Sequence, residues 1–299
     1  MDIQSLILAG ITLSIFLTVL SIGMRMAPGD LQCVLSNPPR LARALLAMNI
    51  LGPIVTIAIC KTFSLHPAVI VGLVTLSIAP INAMFSKAML PLVAPSNPAY
   101  ARGLFFASTV LSVVLTPLAV EVIQRLFGEG EVVHLSPLLV AQVVIGSVLL
   151  PLGIGLAIGR WRPVTRNWVP GIQKASGVVL LVCAIPIVVG AWPHMASLVR
   201  EGTIAAIVLI ALIGLAVGHF LGGPAEDDRT VLAFATVSRH PGVAVAIASL
   251  TGEPLAPVGV LLAVLVSELA VIPYKTWRKR LRAAEPGAAP HRPPPAGAH

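Results

Sequence analysis

The chain has 299 residues, of which 57% are hydrophobic and only 11% are charged, whereas soluble globular domains carry about a quarter charged residues. With a mean hydropathy of +0.94, the side chains are too apolar for one soluble core, so the composition indicates an integral membrane protein. We attribute the net charge of +8 to membrane topology and not to nucleic-acid binding, because Lys and Arg mark the cytoplasmic side of membrane proteins.

Nine apolar stretches are long enough to cross a bilayer, since a spanning helix needs about 20 mostly apolar residues. In chain order they cover residues 3–24, 42–61, 66–87, 103–126, 136–159, 169–192, 202–223, 230–250 and 255–274. The connections are short, so we predict one all-α transmembrane domain over residues 1–276. The Pro-, Ala- and Gly-rich tail, residues 277–299, lacks the apolar content to fold and is predicted to be disordered.

The basic residues are distributed unevenly between the two sides of the membrane that nine spans define. With the N-terminus outside, 15 Lys and Arg residues fall in the inner segments and three fall outside. This bias predicts an outside N-terminus and a cytoplasmic C-terminus. We therefore expect a multi-pass protein of the cell membrane, in a bacterium the inner membrane.

The third and eighth predicted spans share an unusual composition. The third reads VTLSIAPINAMFSKAML and the eighth reads LAFATVSRHPGVAVAIAS, so each has a Ser, a central Pro and a nearby cation. A separation of five helices gives the two spans opposite orientations, as in an inverted repeat of spans one to four and six to nine. Pro-interrupted segments at matching places in inverted halves indicate the central site of a transporter. Two ordinary proline kinks are the alternative.

Three further stretches carry a resemblance to a known family. They read GMRMAPGDLQCVLSNPPRLARALLAMNILGP, FFASTVLSVVLTPLAV and GLAVGHFLGGPAEDDRTVLAFATVSRHPGVAVAIAS. In this order, over nearly the whole chain, the sequence resembles the bile acid–sodium symporter family. The resemblance implies a core domain (residues 42–126 and 202–276), in which two broken helices cross near the bilayer middle, and a panel domain (residues 1–41 and 127–201). Members of that family move organic anions such as bile acids together with sodium by alternating access.

The chain departs from the family where the resemblance places the sodium ligands. In the second crossing helix the family reads E-x-G-x-Q-N-x-G-L-A, and its Glu and Gln help to hold sodium. Aligned on Gly242, these two positions are Ala235 and Arg239, and the Asn position is His240.

The other family ligands are replaced as well. A sodium-site Asn of the first crossing helix falls near Ser86 and Lys87, and a Gln of the preceding helix falls at Met48, beside Asn49. Two cations thus stand where the family has ion ligands. Our hypothesis is that Lys87 and Arg239 replace the charges of the two bound sodium ions.

The sequence offers a larger set of residues for the substrate and the crossing. Pro80, Pro241 and Gly242 are the expected helix-break residues. The candidate substrate-binding residues are Arg239, Lys87, His240, Asn82, Ser86, Ser238, Asn49, Ser108 and Ser112. Glu268 is the one acid well inside a span, where it would neutralise Arg239 or Lys87 or carry a proton. His240 titrates near neutral pH, which leaves proton coupling open.

The function expected from these features is a secondary transporter or facilitator for small organic anions that does not require sodium. One alternative is an ordinary sodium-coupled symporter, and another is a sensory or channel-like membrane protein that does not transport. The sequence predicts no cofactor, no resident metal and no nucleic-acid partner. It also argues against an enzyme, because it contains no G-x-S-x-G, HExxH or P-loop motif.

Overall fold

The computed structural model describes residues 3–82, 98–127 and 136–283, which form helices joined by short connections. The α-helices are α1 (Ile3–Arg25), α2 (Pro28–Leu35), α3 (Pro38–Leu45), α4 (Gly52–Thr62), α5 (Pro67–Ile78), α6 (Pro98–Phe127), α7 (Pro137–Val144), α8 (Leu150–Trp161), α9 (Val169–Leu198), α10 (Thr203–Leu221), α11 (Glu226–Val237), α12 (Pro241–Ala248) and α13 (Ala256–Ala283). π-Helical turns join α3 to α4 (Leu46–Leu51) and α7 to α8 (Ile145–Leu149), and a 3₁₀ turn (Pro163–Trp168) joins α8 to α9. The predicted all-α class is confirmed for these residues.

Six helical stretches within the described ranges are long and apolar enough to cross a membrane. They are Pro38–Thr62, Ala99–Arg125, Pro137–Trp161, Pro163–Leu198, Thr203–Leu221 and Ala256–Leu281. A seventh results if the pair α1 and α2, bent by 86°, counts as one broken span. The count of nine is not reached, because the third and eighth predicted spans are not continuous helices. α5 ends at Ile78, and three residues separate α11 from α12. The inverted repeat itself stays a prediction.

Helices α1, α8 and α9 form one tightly packed unit. Glycines allow the backbones of α1 and α8 to touch: a Cβ added at Gly155 would lie 2.1 Å from the carbonyl oxygen of Leu20. Between α1 and α9 the contact is polar, since the Ser14 hydroxyl donates to the carbonyl of Ser176 at 2.5 Å and the Gln173 amide donates to the Ser21 hydroxyl at 3.2 Å. These helices are the ones that the family resemblance assigns to the panel, and that division of the chain stays a prediction.

A second unit surrounds the interrupted segments. α5 lies against α13 with glycine on both sides, because a Cβ at Gly72 would be 2.6 Å from the backbone of Gly259. α10 lies equally close to α11, where a Cβ at Gly218 would be 2.5 Å from the Cα of Ala233. Small residues at these interfaces let helices associate in a membrane, where no hydrophobic force drives them together. The result is a rigid frame around the ends of α5 and α11.

Ion pairs fix α2 and α3 to the helices beside them. Asp30 on α2 accepts two hydrogen bonds from the Arg102 guanidinium on α6, at 2.9 and 2.8 Å. Arg40 on α3 pairs with Asp228 on α11 and also lies over the Tyr100 ring, 3.5 Å from its centroid. Paired in this way, the buried carboxylates Asp30 and Asp228 satisfy the rule that buried charges need partners.

The close approach of α1 and α8 predicts a difference between two neighbouring glycines. Gly155→Ala should lower the melting temperature of the purified protein, because its Cβ would overlap backbone atoms of α1, and overpacking costs about 1–3 kcal/mol. Gly153→Ala is the matched control on the same helix, since no atom lies within 4 Å of its Cβ. Equal melting temperatures for the two variants would contradict the described packing.

Candidate functional site

The segment that follows α5 and the segment between α11 and α12 contact each other directly. Ile81, just after α5, forms an isolated antiparallel β-bridge with Arg239, between α11 and α12. The backbone N–H of Asn82 donates to the carbonyl of Ser238 at 3.0 Å, and the N–H of His240 donates to the carbonyl of Pro80 at 2.8 Å. Each break therefore supplies hydrogen-bond partners to the other. Backbone that is not helical is tolerated at membrane depth only when it is satisfied in this way.

Pro241 and His240 start the helix that follows the second break. Pro241 is the first residue of α12, a position where its fixed φ suits a helix and its missing N–H is not needed. The His240 Nδ1 atom accepts a hydrogen bond from the N–H of Val243 at 3.3 Å, so the buried ring caps the helix. A capping Nδ1 carries no proton, because it accepts.

Arg239 lies at the centre of the contact between these two segments, which we call the crossing. Its side chain is 6% exposed, and each of its three nitrogen atoms donates to a backbone carbonyl. Nε donates to Thr236 at 3.1 Å, Nη1 donates to Ala79 at 3.2 Å, and Nη2 donates to Met48. The three acceptors belong to three segments of the chain, namely the end of α11, the residue after α5 and the π-helical turn before α4.

Local structure explains why these three carbonyls are free. The Thr236 carbonyl would bond the N–H of His240 in a continuous helix, but that N–H donates to Pro80. Ala79 lies beyond the last residue of α5. In the π-helical turn each carbonyl bonds five residues ahead, as Ala47 does to the N–H of Gly52. The partner of Met48 would then be Pro53, which has no N–H.

No carboxylate pairs with Arg239 among the residues that the structure describes. The ion pairs found there join other arginines to Asp30, Glu121, Glu226 and Asp228. Glu268 is absent from these pairs and lies on the exposed face of α13. Within the described residues the Arg239 guanidinium is satisfied by carbonyl oxygens and not by Glu268, and a charge-neutralising or proton-carrying role for Glu268 stays a prediction. A pair between Glu268 and Lys87 cannot be described, because Lys87 lies outside the described residues.

A protein-family comparison agrees with this architecture. The model of the Sodium Bile acid symporter family matches residues 12–198. The chain belongs to this family. It is thus a multi-pass membrane protein of a transporter family, as the sequence resemblance predicted. A search of curated proteins finds no match.

Three further predicted site residues of this symporter-family protein lie on other elements, in the π-helical turn before α4 and on α6. Asn49 lies half-buried in the π-helical turn beside Met48. Ser108 and Ser112 on α6 donate to carbonyls of their own helix, Phe105 at 3.1 Å and Thr109 at 2.7 Å. The structure thus shows these two hydroxyls in a backbone role.

The other predicted residues lie at the crossing or beyond the described ranges. Ser238 and Asn82 are joined through their backbones, Pro80 accepts from the N–H of His240, and Gly242 is the second residue of α12. Ser86 and Lys87 are outside the described residues. The structure therefore brings Arg239, His240, Ser238 and Asn82 together, and it does not show where Lys87 lies.

A cavity of about 50 Å³ adjoins Arg239 between α4, α5, α10, α11 and α13, with room for on the order of three or four water molecules. Its polar lining consists of Arg239, Thr56, Ser77, Thr236 and Ser267. Thr56, Ser77 and Thr236 donate to carbonyls of their own helices, so their lone pairs remain available. None of these four hydroxyl residues stands out in the sequence, because a Ser or Thr in a membrane helix gives the same signal whether or not it faces a cavity.

The contacts of Arg239 predict a structural cost for removing it. Arg239→Met should lower the melting temperature, because a buried acceptor left without a partner costs about 1–3 kcal/mol, and the relief of a buried charge offsets only part of this. The melting temperature of Arg239→Lys should lie between those of the wild type and Arg239→Met, since an ammonium lacks the planar fork of N–H donors. Arg125→Met is the control, because that side chain is 78% exposed and should change little. A fully stable Arg239→Met protein would refute the role of Arg239 at the crossing.

Proposed function

We propose that this protein is a secondary transporter for small organic anions that works by alternating access without sodium. In this proposal the fixed charges of Arg239 and Lys87 take the place of the sodium ions that other family members bind. The observation that carries the proposal is the Arg239 guanidinium, which donates to backbone carbonyls of three chain segments at the crossing.

The acceptors of Arg239 are of the kind that would hold a sodium ion. In transporters with broken helices, unwound carbonyls and the C-terminal ends of half-helices coordinate the coupling cation. Thr236 and Ala79 belong to such ends, where the helix dipole favours positive charge. The resemblance also places the family's sodium-binding Glu and Gln at Ala235 and Arg239, so those two side-chain oxygen ligands are missing where the guanidinium lies. These facts support a covalently attached cation in place of a bound one.

The charge of Arg239 also supports an anionic substrate. Within the described part of the chain its charge meets only carbonyl dipoles and no carboxylate, so a net positive charge remains at membrane depth. A charge at the helix centre costs roughly 2.5–3.5 kcal/mol on insertion scales. The N-terminus of α12 adds a positive dipole end beside it. An organic anion that binds near the crossing would offset both the Arg239 charge and the positive dipole end of α12.

Lys87 enters the proposal on sequence grounds alone. In the sequence it follows Pro80, as Arg239 follows the end of α11, and it lies where the family resemblance places a sodium-site residue. His240 is a weaker candidate for a coupling proton, because protonation at Nδ1 would break its cap on α12.

An ordinary sodium symporter is the second candidate, and one observation favours it. The hydroxyls of Thr56, Ser77 and Thr236 offer lone pairs to the cavity beside Arg239, and hard cations prefer oxygen ligands. The two candidates differ in whether anion binding rises with sodium.

The test uses the full chain reconstituted in vesicles. A panel of bile acids and smaller carboxylates is first screened by thermal shift, and uptake of each hit is then measured in sodium, potassium and choline salts. The proposal expects the same uptake in all three. Arg239→Gln should weaken anion binding roughly ten- to hundredfold, since charge-assisted hydrogen bonds are worth about 1.5–3 kcal/mol. Arg125→Gln removes an exposed charge as the control and should bind normally.

The double variant Ala235→Glu with Arg239→Gln restores the two family ligands. Sodium should stabilise this variant more than the wild type, because a ligand that binds only the folded state raises its stability. Uptake by the wild type that rises steeply with sodium would overturn the proposal in favour of the ordinary symporter. Saturable anion binding without any flux would favour the sensory or channel-like alternative.

A further inference from the structure

The connection between α8 and α9 has an unusual composition for its length. Residues 160–168 read RWRPVTRNW, with three arginines, two tryptophans and no acidic residue. We call this segment the basic turn. Its arginines (Arg160, Arg162 and Arg166) are all exposed, and Trp161 and Trp168 are 83% and 63% exposed.

The basic turn is held in a defined shape by its own hydrogen bonds. The N–H of Arg162 donates to the carbonyl of Ile158 at 2.9 Å, and the N–H and hydroxyl of Thr165 donate to the carbonyl of Arg162 at 2.9 and 2.7 Å. Thr165 is buried between exposed neighbours, and Val169 is buried where α9 begins. The exposure of the arginines and tryptophans is therefore fixed by the backbone.

The arginines of the basic turn have no partners in the part of the chain that the structure describes. Their side chains form no ion pair and no hydrogen bond there, whereas Arg40 and Arg102 each pair with a carboxylate. A fourth cation lies close by. A Cβ at Gly159 would be 2.4 Å from the carbonyl oxygen of Met24, so the end of α1, with the exposed Arg25, adjoins the turn.

From this arrangement we propose that the basic turn binds the headgroups of anionic phospholipids. The turn joins two membrane-spanning stretches, so it lies at headgroup depth. Arginine binds phosphate with a planar pair of N–H donors, and tryptophan prefers the boundary between headgroups and hydrocarbon. The exposed apolar side chains Trp161, Val164 and Trp168 suit a bilayer surface. A nucleic acid or an acidic protein would not bury these apolar side chains at that boundary.

This site would hold one unit of the protein at a fixed depth in the bilayer. α1, α8 and α9 are tied together by glycine contacts and by buried hydroxyl hydrogen bonds. A headgroup bound at the end of α8 therefore restrains all three helices. The inference stands independently of how the crossing binds its substrate.

The test measures lipid selectivity with the tryptophans of the turn as reporters. The chain has four tryptophans, so Trp192→Phe and Trp277→Phe leave Trp161 and Trp168 as the only ones. The full-length protein is reconstituted in phosphatidylcholine vesicles, and quenching is compared for brominated phosphatidylglycerol and brominated phosphatidylcholine. Phosphatidylglycerol should bind at the turn more tightly. Each neutralised arginine should lower this preference about fivefold, the worth of one basic residue at an anionic surface, and Arg160→Gln/Arg162→Gln/Arg166→Gln should abolish it.

A matched triple variant distinguishes a specific lipid site from a general effect of positive charge. Lys275→Gln/Lys279→Gln/Arg280→Gln also removes three cations, at the end of α13, and should leave the preference unchanged. Equal loss in both triple variants, or no preference in the parent protein, would overturn the proposal. So would loss of the preference on adding inorganic phosphate at constant ionic strength, since the turn would then bind a soluble anion. Melting temperatures near the parent value show that each variant is folded.

Discussion

A chain that leaves the helical conformation inside a membrane exposes backbone groups that hydrocarbon cannot satisfy. In this protein the segment after α5 meets the segment between α11 and α12, and Asn82 and His240 donate across the crossing to Ser238 and Pro80. Arg239 donates to three further backbone carbonyls at this place. The glycine contacts that bring α5 against α13 and α11 against α10 hold the broken ends at the distance that this one side chain can bridge.

A cation that is part of the chain has consequences that a bound ion does not have. A bound sodium ion can leave on one side of the membrane, and its gradient can then drive transport. The Arg239 charge cannot leave. Under our proposal it therefore gives the crossing a permanent positive potential, but it supplies no ion gradient that could drive transport. Such a protein would move anions down their own gradient or by exchange. The cavity beside Arg239 fits this picture if its hydroxyls hold water, which can accept from the guanidinium and donate to oxygen.

The sequence predicts much of this arrangement, because prolines and charges in apolar spans are visible signals. Pro80 and Pro241 mark places where α5 and α11 have ended, and the family resemblance locates Arg239 next to them. The partners of Arg239 could not be foreseen, since they are backbone carbonyls that no side chain identifies. The Met48 carbonyl is free to accept from Arg239 only because the π-helical turn puts Pro53, which has no N–H, in the place of its donor. For Glu268 the sequence shows the position within α13, but the direction of the side chain depends on packing, which places it on the exposed face.

Under our proposal the Arg239 guanidinium occupies the place of a monovalent cation at the crossing. Thallium(I) reports such sites directly, because it replaces sodium or potassium and scatters X-rays anomalously. Crystals of the wild-type protein soaked in a thallium salt should show no anomalous peak within coordination distance of the carbonyl oxygens of Thr236, Ala79 or Met48. A peak at that position, with the Arg239 side chain displaced from it, would contradict the account.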